Sequence, residues 1–556
     1  MGAMSQFRSF FWRLIFSLTC CLLLIDVSAH AQVLVTLGQN FTGTSYDPNA
    51  PVLPPDANGA IGPRHFMEFI NGTVAVYNKT NGQSIQRKTN VKFWSDAGLI
   101  ISPDSSVSDP RVIYDPTVQR WFASQVDFNA NGADPTASAN DFLLAVSATD
   151  NPAGSWHGFQ FQSDPDFGNF ADFPTLGLDS NAIYLSGDFF HTNNPIGPGL
   201  VSIPKADLLA ATPTIANLTW FGVMDYAVRG QVLQPAICLD GSSVGNILAM
   251  EDIGTDTDPH SNIVSFVVQN AAGPGAATLT ASLDIPVSPY VVPYNADLDA
   301  PYFNPLQPDG STTLAGNDAR LSAKVYAVGG VLYAVNNTEL NNRMAVRWYR
   351  INAVNHTLLE SGTIADTNLD LFYPSICANT NGTVVIACNG SGINTFVSCF
   401  AAVGQIVNGV TTFGNLILLK SGTVNYHGDD ELIAQLLDEP LISRWGDYSA
   451  TSVDPADPSR FWTIQMYPSD ADIWSTQITE LITVPLPSLT IATAGTNVLV
   501  SWPAFVTGFQ LQSTPALLPT NNWSLVTQTL VTNGNLISTL VPISGTQKYF
   551  RLKQGP

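Results

Sequence analysis

The amino-acid sequence predicts an all-β protein: a β-propeller of about seven blades followed by a small β-sandwich. Two observations predict this fold. Short apolar runs alternate with turns rich in Asp, Asn, Gly and Pro, a pattern typical of strands joined by tight turns. One hairpin-like unit also repeats along most of the chain, and repeats of this kind are typical of propellers.

Each repeat has an apolar run, a tight polar turn and a second apolar run. The seven turns centre near residues 71, 116, 180, 241, 328, 380 and 455, about 64 residues apart on average. Each interval leaves room for two further strands, so we expect four short antiparallel strands per repeat and about six to eight blades. A closed ring would also protect the strand edges of so long a β-chain. An irregular array of β-sandwiches is the alternative.

The stretch DPRVIYDPTVQRWFASQ (109–125) illustrates one repeat. Asp115 and Pro116 are predicted to make the turn, because Asp bonds its own backbone and Pro fixes the chain direction. Trp121 and Phe122 are predicted to pack between blades.

The chain divides into a propeller at 32–482, a linker TVPLPS at 483–488 and a terminal unit at 489–556. The terminal unit shows alternating strand patterns around Trp502 and is predicted to be a fibronectin- or Ig-like sandwich of about seven strands. Helical patterns are few. KADLLAA (205–211) and DDELIAQLLDE (429–439) predict two short helices between strands.

Residues 1–31 are predicted to be a signal peptide. Arg8 and Arg13 flank the start of an apolar run that is too short for a typical membrane span, and Ala29-His30-Ala31 supplies a cleavage site. No later segment approaches about 20 uninterrupted apolar residues, so no membrane span is expected after cleavage. The mature protein is therefore predicted to be exported to the periplasm, the cell surface or the extracellular medium.

The chain is strongly acidic, with a formal net charge of −22. This charge argues against a nucleic-acid partner, because phosphate binding requires clustered Lys and Arg. It suits solubility and the binding of cations. A monomer is expected.

Four cysteines follow the signal peptide: Cys238, Cys377, Cys388 and Cys399. The last three are evenly spaced with turn signals between them, which predicts their placement on three successive antiparallel strands. In an exported protein, one disulfide among them and buried free thiols are both consistent with this pattern. The sequence lacks Cys-x-x-Cys, so a zinc site is not expected.

Five blocks of sequence together resemble a family of large secreted bacterial proteins. The blocks are PPDANGAIGPRHFMEFINGTVAVYNKTNG, SDPRVIYDPTVQRWFASQ, ADFPTLGLDSNAIYLSGD, MAVRWYRI and SRWGDYSATSVDPADPSRFWTIQMY. The resemblance covers most of 50–480 and implies a sialidase-like or WD40-like propeller. The terminal unit is similar to small β-sandwich modules that end many secreted bacterial proteins. The family has no assigned reaction, so the resemblance implies a fold and no activity.

Four arginines stand just before, or at the start of, the first strand of a repeat: Arg111, Arg229, Arg320 and Arg444. Four acids lie near corresponding points: Asp109, Asp172, Asp318 and Asp447. If that strand is the innermost of its blade, these side chains ring one mouth of the central channel. Such a ring is suited to bidentate binding of carboxylates or sulfates on an acidic glycan. Alternatively, each Asp pairs with an Arg or caps a turn and ties the blades together.

The proline-rich insertion at 288–310 carries three further candidates, Tyr290, Tyr294 and Tyr302. Rigid exposed aromatic rings are suited to stacking on sugars or to contacts with proteins. Alternatively, these rings pack the loop onto its blade.

The segment DFNANGADPTASAND (127–141) begins like a calcium-binding loop. Asp127, Asn129 and Asn131 are the candidate oxygen ligands, and either Asp134 or Asp141 is the substitute for the missing bidentate Glu. An ordinary surface loop is the alternative. Calcium is therefore the one cofactor that the sequence suggests.

These features favour an exported recognition or scaffold protein that binds an extracellular glycan or protein at the propeller mouth. The alternative is a polysaccharide-acting hydrolase or lyase that uses Asp residues at the channel. The sialidase Asp box is absent, and GSSVG (241–245) is predicted to be a hairpin turn rather than a serine-hydrolase elbow. An enzyme needs two convergent acids not paired to arginine in an open funnel, whereas a scaffold tolerates a plugged channel.

Overall fold

The computed structural model describes residues 33–47, 52–131, 134–251, 258–273, 275–295, 300–301, 304–428, 443–485, 487, 489–504, 509–517, 522–534, 536–545 and 547–554. The predicted signal peptide at 1–31 and the predicted helix at 429–439 lie outside the described residues. Among the helices within them, none has the length and hydropathy of a membrane-spanning segment.

Seven groups of mainly antiparallel strands, here called blades 1 to 7, follow one another between residues 33 and 485. Parallel pairing through one short strand joins blades 3 and 5 into a single sheet. The first strand, β1 (Val33–Ser45), belongs to the last blade. Blade 1 contains β2 (Gly59–Ile61), β3 (His65–Ile70), β4 (Thr73–Asn78) and β5 (Ser84–Thr89). Blade 2 contains β6 (Ser105–Asp115), β7 (Arg120–Asn129), β8 (Asp141–Ser147) and β9 (Trp156–Gln162). Blade 3 contains β10 (Phe170–Leu178), β11 (Ala182–His191), β12 (Asn194–Pro204) and β13 (Thr219–Val223).

Blades 4 to 6 vary more at their outer edges. Blade 4 contains β14 (Gln231–Pro235), β15 (Ile237–Cys238), β16 (Asn246–Met250), β17 (His260–Gln269), β18 (Thr278–Leu279) and β19 (Leu283–Tyr290). Blade 5 contains β22 (Tyr326–Val328), β23 (Val331–Glu339), β24 (Met344–Asn352) and β25 (Leu358–Ile364). Blade 6 contains β26 (Asp370–Ala378), β27 (Thr383–Gly392), β28 (Thr395–Val407), β29 (Val410–Phe413) and β30 (Ile417–Lys420). A small hairpin, β20 (Tyr294–Asn295) and β21 (Ala300–Pro301), lies between blades 4 and 5.

Helices occur only on connections in the described part of the chain. They are α1 (Asn90–Asp96), α2 (Lys205–Leu208) and α3 (Tyr226–Arg229), with one 3₁₀ turn at Pro135–Ala137. The position of α2 confirms the short helix predicted at 205–211.

Blade 7 closes the ring by joining the two ends of the propeller. Its strands are β31 (Ala450–Val453), β32 (Arg460–Asp470) and β33 (Ile473–Pro485), and β1 pairs with β33 as the outermost strand. Buried Glu68 of blade 1 reinforces this closure, since its carboxylate accepts hydrogen bonds from Thr44 Oγ1 of β1 at 2.7 Å and from Tyr77 Oη at 2.7 Å. The strand β33 continues to Pro485, so the sheet extends into the segment predicted as a linker.

The innermost strands contact one another in ring order: β2, β6, β10, β14 with β15, β22, β26, β31 and again β2. The short strand β15 pairs in parallel with both of its neighbours, through Leu178↔Ile237 and Ile237↔Tyr326. Seven blades around one axis confirm the predicted propeller, at the middle of the predicted range of blade number.

Apolar side chains fill the interfaces between neighbouring blades. Trp121 packs with residues of blades 1 and 2, and Phe122 lies in a cluster with residues of blades 2 and 3. A Cβ atom at Gly62 would lie 2.4 Å from Trp121 Cζ2, so only glycine allows blade 1 to approach this ring so closely. These contacts are the ones predicted for Trp121 and Phe122.

The Asp and Asn residues of the repeat make one recurring turn at the end of the innermost strand. In each case the side-chain Oδ1 accepts the backbone N–H two residues later. The pairs are Asp115 and Thr117, Asp179 and Asn181, Asp240 and Ser242, Asn379 and Asn381, and Asp454 and Ala456. The repeating acids are therefore turn residues, as predicted for Asp115.

Several of these turn residues also tie a blade to the next blade. Asp115 forms a buried salt bridge with Lys205 of blade 3 at 2.7 Å, and Asp454 forms one with Lys79 of blade 1 at 2.6 Å. The Asn379 side chain donates to Pro458 O of blade 7 at 2.7 Å. Local turn chemistry and blade-to-blade attachment thus use the same side chains.

The repeat at 66–79 differs from the other repeats in its position within the blade. It forms β3 and β4, the second and third strands of blade 1, whereas the other repeats begin at innermost strands. All hairpins in an antiparallel sheet have the same local pattern, so sequence cannot tell which strand faces the axis.

The cysteines lie where the spacing predicts. Cys377, Cys388 and Cys399 are on β26, β27 and β28, and together with Cys238 they are buried free thiols. Cys388 belongs to one apolar cluster, whereas Cys377 and Cys399 belong to another, because alternate residues of a strand face opposite sides. Of the two patterns that the sequence allows, the structure has free thiols.

The terminal unit is a two-sheet sandwich of seven described strands. One sheet contains β34 (Thr490–Ala494), β35 (Asn497–Pro503), β38 (Val531–Asn533) and β39 (Leu536–Pro542), and the other contains β36 (Phe509–Thr514), β37 (Ser524–Leu525) and β40 (Tyr549–Gln554). Its core includes Val500, Trp502, Leu511 and Val541. The sandwich and the buried Trp502 confirm the prediction, and its kinship with fibronectin or Ig modules stays a prediction.

The buried pair of Lys205 and Asp115 should stabilise the propeller. Lys205→Met leaves the Asp115 carboxylate buried without its partner, so we expect a loss of about 3–5 kcal/mol in the free energy of unfolding, measured by urea denaturation. The double variant Lys205→Met/Asp115→Asn should recover part of this loss, because no buried charge remains.

Lys92→Met is the matched control, since Lys92 and Asp96 form an ion pair whose side chains are 62% and 40% exposed. It should change stability little, because solvent screens exposed pairs. Equal losses in Lys205→Met and Lys92→Met would contradict a structural role for the buried pair.

Candidate functional site

The innermost strands all run in the same direction, so their first residues meet at one end of the channel. We call this end the acidic mouth and the opposite end the apolar mouth. Nine charged side chains that influence one another gather at the acidic mouth: Asp56, Asp109, Asp172, Asp188, Asp318, Asp447, Arg111, Arg320 and Arg444. Seven of these residues were predicted to lie together, and the structure does bring them together.

In six blades the backbone makes a left-handed step at this mouth, either within the innermost strand or in the segment that leads to it. The residues are Asp56, Asp109, Phe173, Val232, Asn317 and Tyr373, with φ between 48° and 65°. In four strands a register shift accompanies the step, at Ser108/Arg111, Asp172/Thr175, Gln231/Gln234 and Phe372/Ser375. For a β-branched residue such as Val232 this conformation is costly, and strain of this kind is concentrated at functional sites.

The charged side chains form two layers. In the outer layer, called the rim, the side chains of Arg444, Asp447 and Arg320 are 40%, 24% and 23% exposed. Half-buried Asp172 lies beside them. Beneath the rim are the buried residues Asp56, Asp109, Asp188, Asp318 and Arg111. A ligand from solvent would therefore meet the rim first.

Two of the arginines form ion pairs within their own loops. Arg320 Nε donates to Asp318 Oδ2 at 2.6 Å, and Arg444 Nη2 lies 3.4 Å from both carboxylate oxygens of Asp447. The predicted alternative, that Asp pairs with Arg, is thus correct for these residues. The pairs are local, however, and do not tie one blade to another.

Arg111 has a different role from the one predicted for it. Its side chain crosses the channel, with Nε donating to Pro174 O at 2.8 Å and Nη1 to Ser322 O at 3.2 Å. Its guanidinium group also lies 3.5 Å from the centre of the Tyr448 ring, a cation–π contact. Because Arg111 is buried below the rim, it closes the channel instead of lining the opening.

Lys324 adds a second obstruction below Arg111. Its Nζ donates to Gly59 O at 3.1 Å and to Val112 O at 2.8 Å, so a side chain from blade 5 reaches blades 1 and 2. Burial, followed by the positive charge of Arg111, lowers the pKa of Lys324 to about 7. The channel is therefore plugged by two long basic side chains that bind backbone carbonyl groups.

Asp56 and Asp109 are neighbouring acids in the buried layer, and each carboxyl group shifts the pKa of the other. Asn71 links them, since it donates to Asp56 Oδ2 at 2.8 Å and accepts from the Asp109 backbone N–H at 2.9 Å. Burial first, and then Asp172 and Asp447, raise the pKa of Asp109 to about 7, while burial and Asp447 raise the pKa of Asp56 well above its usual value. The pair therefore retains a proton near neutral pH.

Asp188 lies opposite Asp172 on β11 and accepts a hydrogen bond from the strained Val232 N–H at 3.2 Å. Burial raises the pKa of Asp188 to about 7, although Arg320 opposes this shift. The acidic mouth thus has more carboxyl groups than guanidinium groups, and the raised pKa values of Asp56, Asp109 and Asp188 favour their protonated forms.

Arg229 does not belong to this group, and its predicted place at the mouth is wrong. It ends α3, donates to Thr280 O at 2.9 Å and to Ser282 Oγ at 3.2 Å, and lies 4.5 Å from the Phe266 ring centre. The helix places Arg229 against the outer strands of blade 4, before the chain enters β14.

The predicted aromatic surface is also different. Tyr290 is buried, stacks on His260 with ring centres 5.6 Å apart and donates to Asn262 O at 3.3 Å, so it packs its loop onto blade 4. Tyr294 is half-buried, and its N–H donates to Glu339 Oε2 at 3.4 Å. Tyr302 lies outside the described residues.

The candidate calcium ligands are engaged in local hydrogen bonds. Asp127 Oδ1 accepts from the Asp141 N–H at 2.7 Å, Asn129 Oδ1 accepts from the Asn131 N–H at 3.0 Å, and Asp134 caps Thr136 at 2.9 Å. In the described ranges, no three His, Cys, Asp or Glu side chains are placed to hold a metal ion. Calcium binding at this loop stays a prediction, which a comparison of melting temperatures with calcium and with chelator would test.

Sequence reasoning missed Asp56, Asp188, Lys324, Tyr373 and Tyr448. Asp56 and Tyr448 lie within the motifs PPDANG and RWGDYS, which could have identified them as candidates for the site. No motif identifies the other three residues, because the sequence does not show which strands face the channel.

No protein-family model matches the chain, and no curated protein matches it by sequence. A protein of unknown function from Dyadobacter fermentans DSM 18053 is 9% identical over 69% of this chain and 97% of its own, with a TM-score of 0.34. An exo-β-1,3-galactanase from Clostridium thermocellum is 10% identical over 92% of this chain and 100% of its own, with a TM-score of 0.29. A Hadza microbial sialidase is 11% identical over 76% of this chain and 65% of its own, with a TM-score of 0.34. Similarity this low identifies no shared chemistry.

The raised pKa of Asp109 predicts a pH-dependent stability. The folded state favours the protonated acid, so the contribution of Asp109 is fully present below its unfolded pKa of 3.8 and is lost as pH rises through about 7. Asn cannot ionise. Between pH 4.5 and 8, the free energy of unfolding of Asp109→Asn relative to wild type should therefore rise by about 1–4 kcal/mol, measured by urea denaturation.

Asp284→Asn serves as the control, because Asp284 is exposed on β19. Its free energy of unfolding relative to wild type should stay constant over the same pH range. A constant difference for Asp109→Asn as well would show that Asp109 does not hold its proton in the folded protein.

Proposed function

We propose that the protein is a recognition or scaffold protein that binds an extracellular glycan at the acidic mouth. The observation that carries this proposal is the rim, where Arg320, Arg444 and Asp447 stay partly exposed above a plugged channel. Guanidinium and carboxylate groups offer several donors and acceptors in fixed geometry, as the hydroxyl groups of a sugar require. A closed channel suits binding at the surface.

The charge balance favours a neutral glycan over the acidic one that isolated arginines suggest. Six carboxylates face three guanidinium groups among the residues described at this mouth. An acidic ligand would meet like charges, and Arg320 and Arg444 are already paired with Asp318 and Asp447. A hydroxyl-rich neutral ligand would instead hydrogen-bond to both partners of each pair.

A polysaccharide hydrolase or lyase is the second candidate, and the Asp56–Asp109 pair is the observation that favours it. One acid that keeps its proton beside a second carboxyl group is a feature of acid–base catalysis. Two facts weigh against it. Both acids are buried below the rim, and Asn71 binds both of them, so neither is free to reach a substrate.

Export remains part of the proposal, since the predicted signal peptide would bring this mouth to glycans outside the cell. The predicted locations are the periplasm, the cell surface and the extracellular medium. A protein ligand at the same rim is the other outcome that the binding test must distinguish. Monomeric state stays a prediction.

Binding of neutral glycans by the full chain should be measured on a glycan array and then by calorimetry. Arg444→Ala should weaken the affinity about tenfold or more, because it removes a charged hydrogen-bonding group from the rim. Arg64→Ala is the matched control. Arg64 also pairs with an aspartate, Asp150 at 2.9 Å, but lies on the turn after β2, at the other end of the channel.

Three results would contradict the glycan proposal. They are no glycan binding by wild type, equal losses in Arg444→Ala and Arg64→Ala, and release of reducing sugar that Asp109→Asn abolishes. The last result would support the hydrolase.

A further inference from the structure

A cavity of about 340 Å³ lies at the apolar mouth, opposite the site discussed above. Six of the seven blades contribute to its wall near the ends of their innermost strands. The contributing residues include Ile61, Ile113, Ile237, Tyr326, Cys377 and Val453. Its size falls within the range of about 300–1,000 Å³ that is typical of small-molecule sites.

Most of the cavity wall is apolar from base to opening, although the polar turn residues Asp240 and Asp454 also line it. Ile61, Ile113 and Ile237 at the base are buried, whereas Leu239, Val328 and Val453 nearer the opening are half-buried. Apolar side chains that stay partly in water around a concave opening indicate a surface that another molecule covers. A single exposed apolar residue would not indicate a binding surface, but Leu239, Val328 and Val453 come from three different blades and surround one opening.

Tyr326 offers a polar group to a ligand in the cavity. Its side chain is 5% exposed and lines the cavity, and its hydroxyl group makes no hydrogen bond to any described residue. By contrast, the turn acids at the opening are satisfied, Asp240 by Ser242 and Asp454 by Lys79. A hydroxyl group that faces an apolar cavity is open to a ligand, so this cavity favours a ligand that supplies one hydrogen-bonding group.

The two mouths are separate sites. Lys324 and Arg111 cross the channel between them, and both are held by backbone carbonyl groups of other blades. Lys324 Nζ is committed to Gly59 O and Val112 O, and Lys324 is not among the residues that line the cavity. A ligand in the cavity would therefore contact neither the acidic residues nor their counter-ions.

Cys377 is not a reactive group for such a ligand. It lines the cavity, but burial raises the pKa of its thiol to about 12, so it stays protonated at neutral pH. The cavity thus offers shape, apolar contact and the Tyr326 hydroxyl group, and its thiol is not a nucleophile at neutral pH.

We propose that the apolar mouth is a second binding site, for a small and mainly apolar molecule that carries one hydroxyl or carbonyl group. The apolar walls bind the body of this molecule, and Tyr326 Oη bonds its polar group. This site does not depend on the function proposed for the acidic mouth, because the plugged channel separates the two.

Naphthalene and 1-naphthol are suitable probes, since they differ only by a hydroxyl group. The full chain should bind both with saturation, and 1-naphthol about fivefold more tightly, a factor consistent with one added hydrogen bond. Tyr326→Phe keeps the ring and removes the hydroxyl, so it should abolish the preference while naphthalene affinity is retained. Binding is measured by calorimetry or by probe fluorescence.

A second pair of variants tests the location. Val453→Trp places a large ring at the opening and should remove binding of both probes. Val410→Trp is its control, because Val410 is 60% exposed on β29 and does not line the cavity. Arg444→Ala at the acidic mouth should leave probe binding unchanged.

The proposal is wrong if wild type shows no saturable binding, if Tyr326→Phe keeps the preference for 1-naphthol, or if Val453→Trp and Val410→Trp bind the probes equally well. Loss of glycan binding in Arg444→Ala with probe binding intact would support both sites. If binding is not found at one mouth, the binding measurement at the other mouth can still be interpreted.

Discussion

The pairing of β1 with β33 is the constraint on which the rest of the propeller depends. It joins the two ends of the repeating region, for example through the hydrogen bond between Thr44 N and Thr476 Oγ1, which are 432 residues apart in sequence. Without this pairing, blade 7 would expose a strand edge and blade 1 would lose its neighbour. Closure also brings seven innermost strands around one axis in the same direction, so the first residues of all of them meet.

This convergence explains the electrostatics of the acidic mouth. Each blade contributes few charges, yet the ring places six carboxylates close together. The protein offsets their repulsion with local Arg–Asp pairs, with Arg111 stacked on Tyr448 and with protons kept on Asp56, Asp109 and Asp188. Left-handed residues add strain at the same place. A region that combines repulsion between carboxylates with backbone strain is a candidate for function, because neither feature stabilises the fold.

The channel is also divided along its length. Arg111 and Lys324 bind backbone carbonyl groups of other blades and stand between the acidic mouth and the apolar cavity. The two ends therefore present different chemistry, charged hydrogen-bonding groups at one and mainly aliphatic side chains at the other. One fold thus provides two chemical environments that Arg111 and Lys324 keep apart along the channel.

The sequence by itself determined the class of fold, the number of repeats to within one blade, the turn role of Asp115 and the placement of three cysteines on successive strands. These features depend on local patterns, such as alternation of apolar residues and the hydrogen bond of Asp to its own backbone. The grouping of Asp109, Asp172, Asp318, Arg320, Arg444 and Asp447 was also predictable, because their position in the repeat is regular. Only the tertiary structure decided that Arg229 packs from α3 against the outer strands of blade 4 and that Arg111 closes the channel. It also decided that Asp56 and Asp188 complete the acidic mouth and that Tyr326 lines the apolar cavity. Those facts depend on which strand faces the axis and on contacts between blades. Local sequence patterns encode neither the order of strands in a blade nor the contacts between blades.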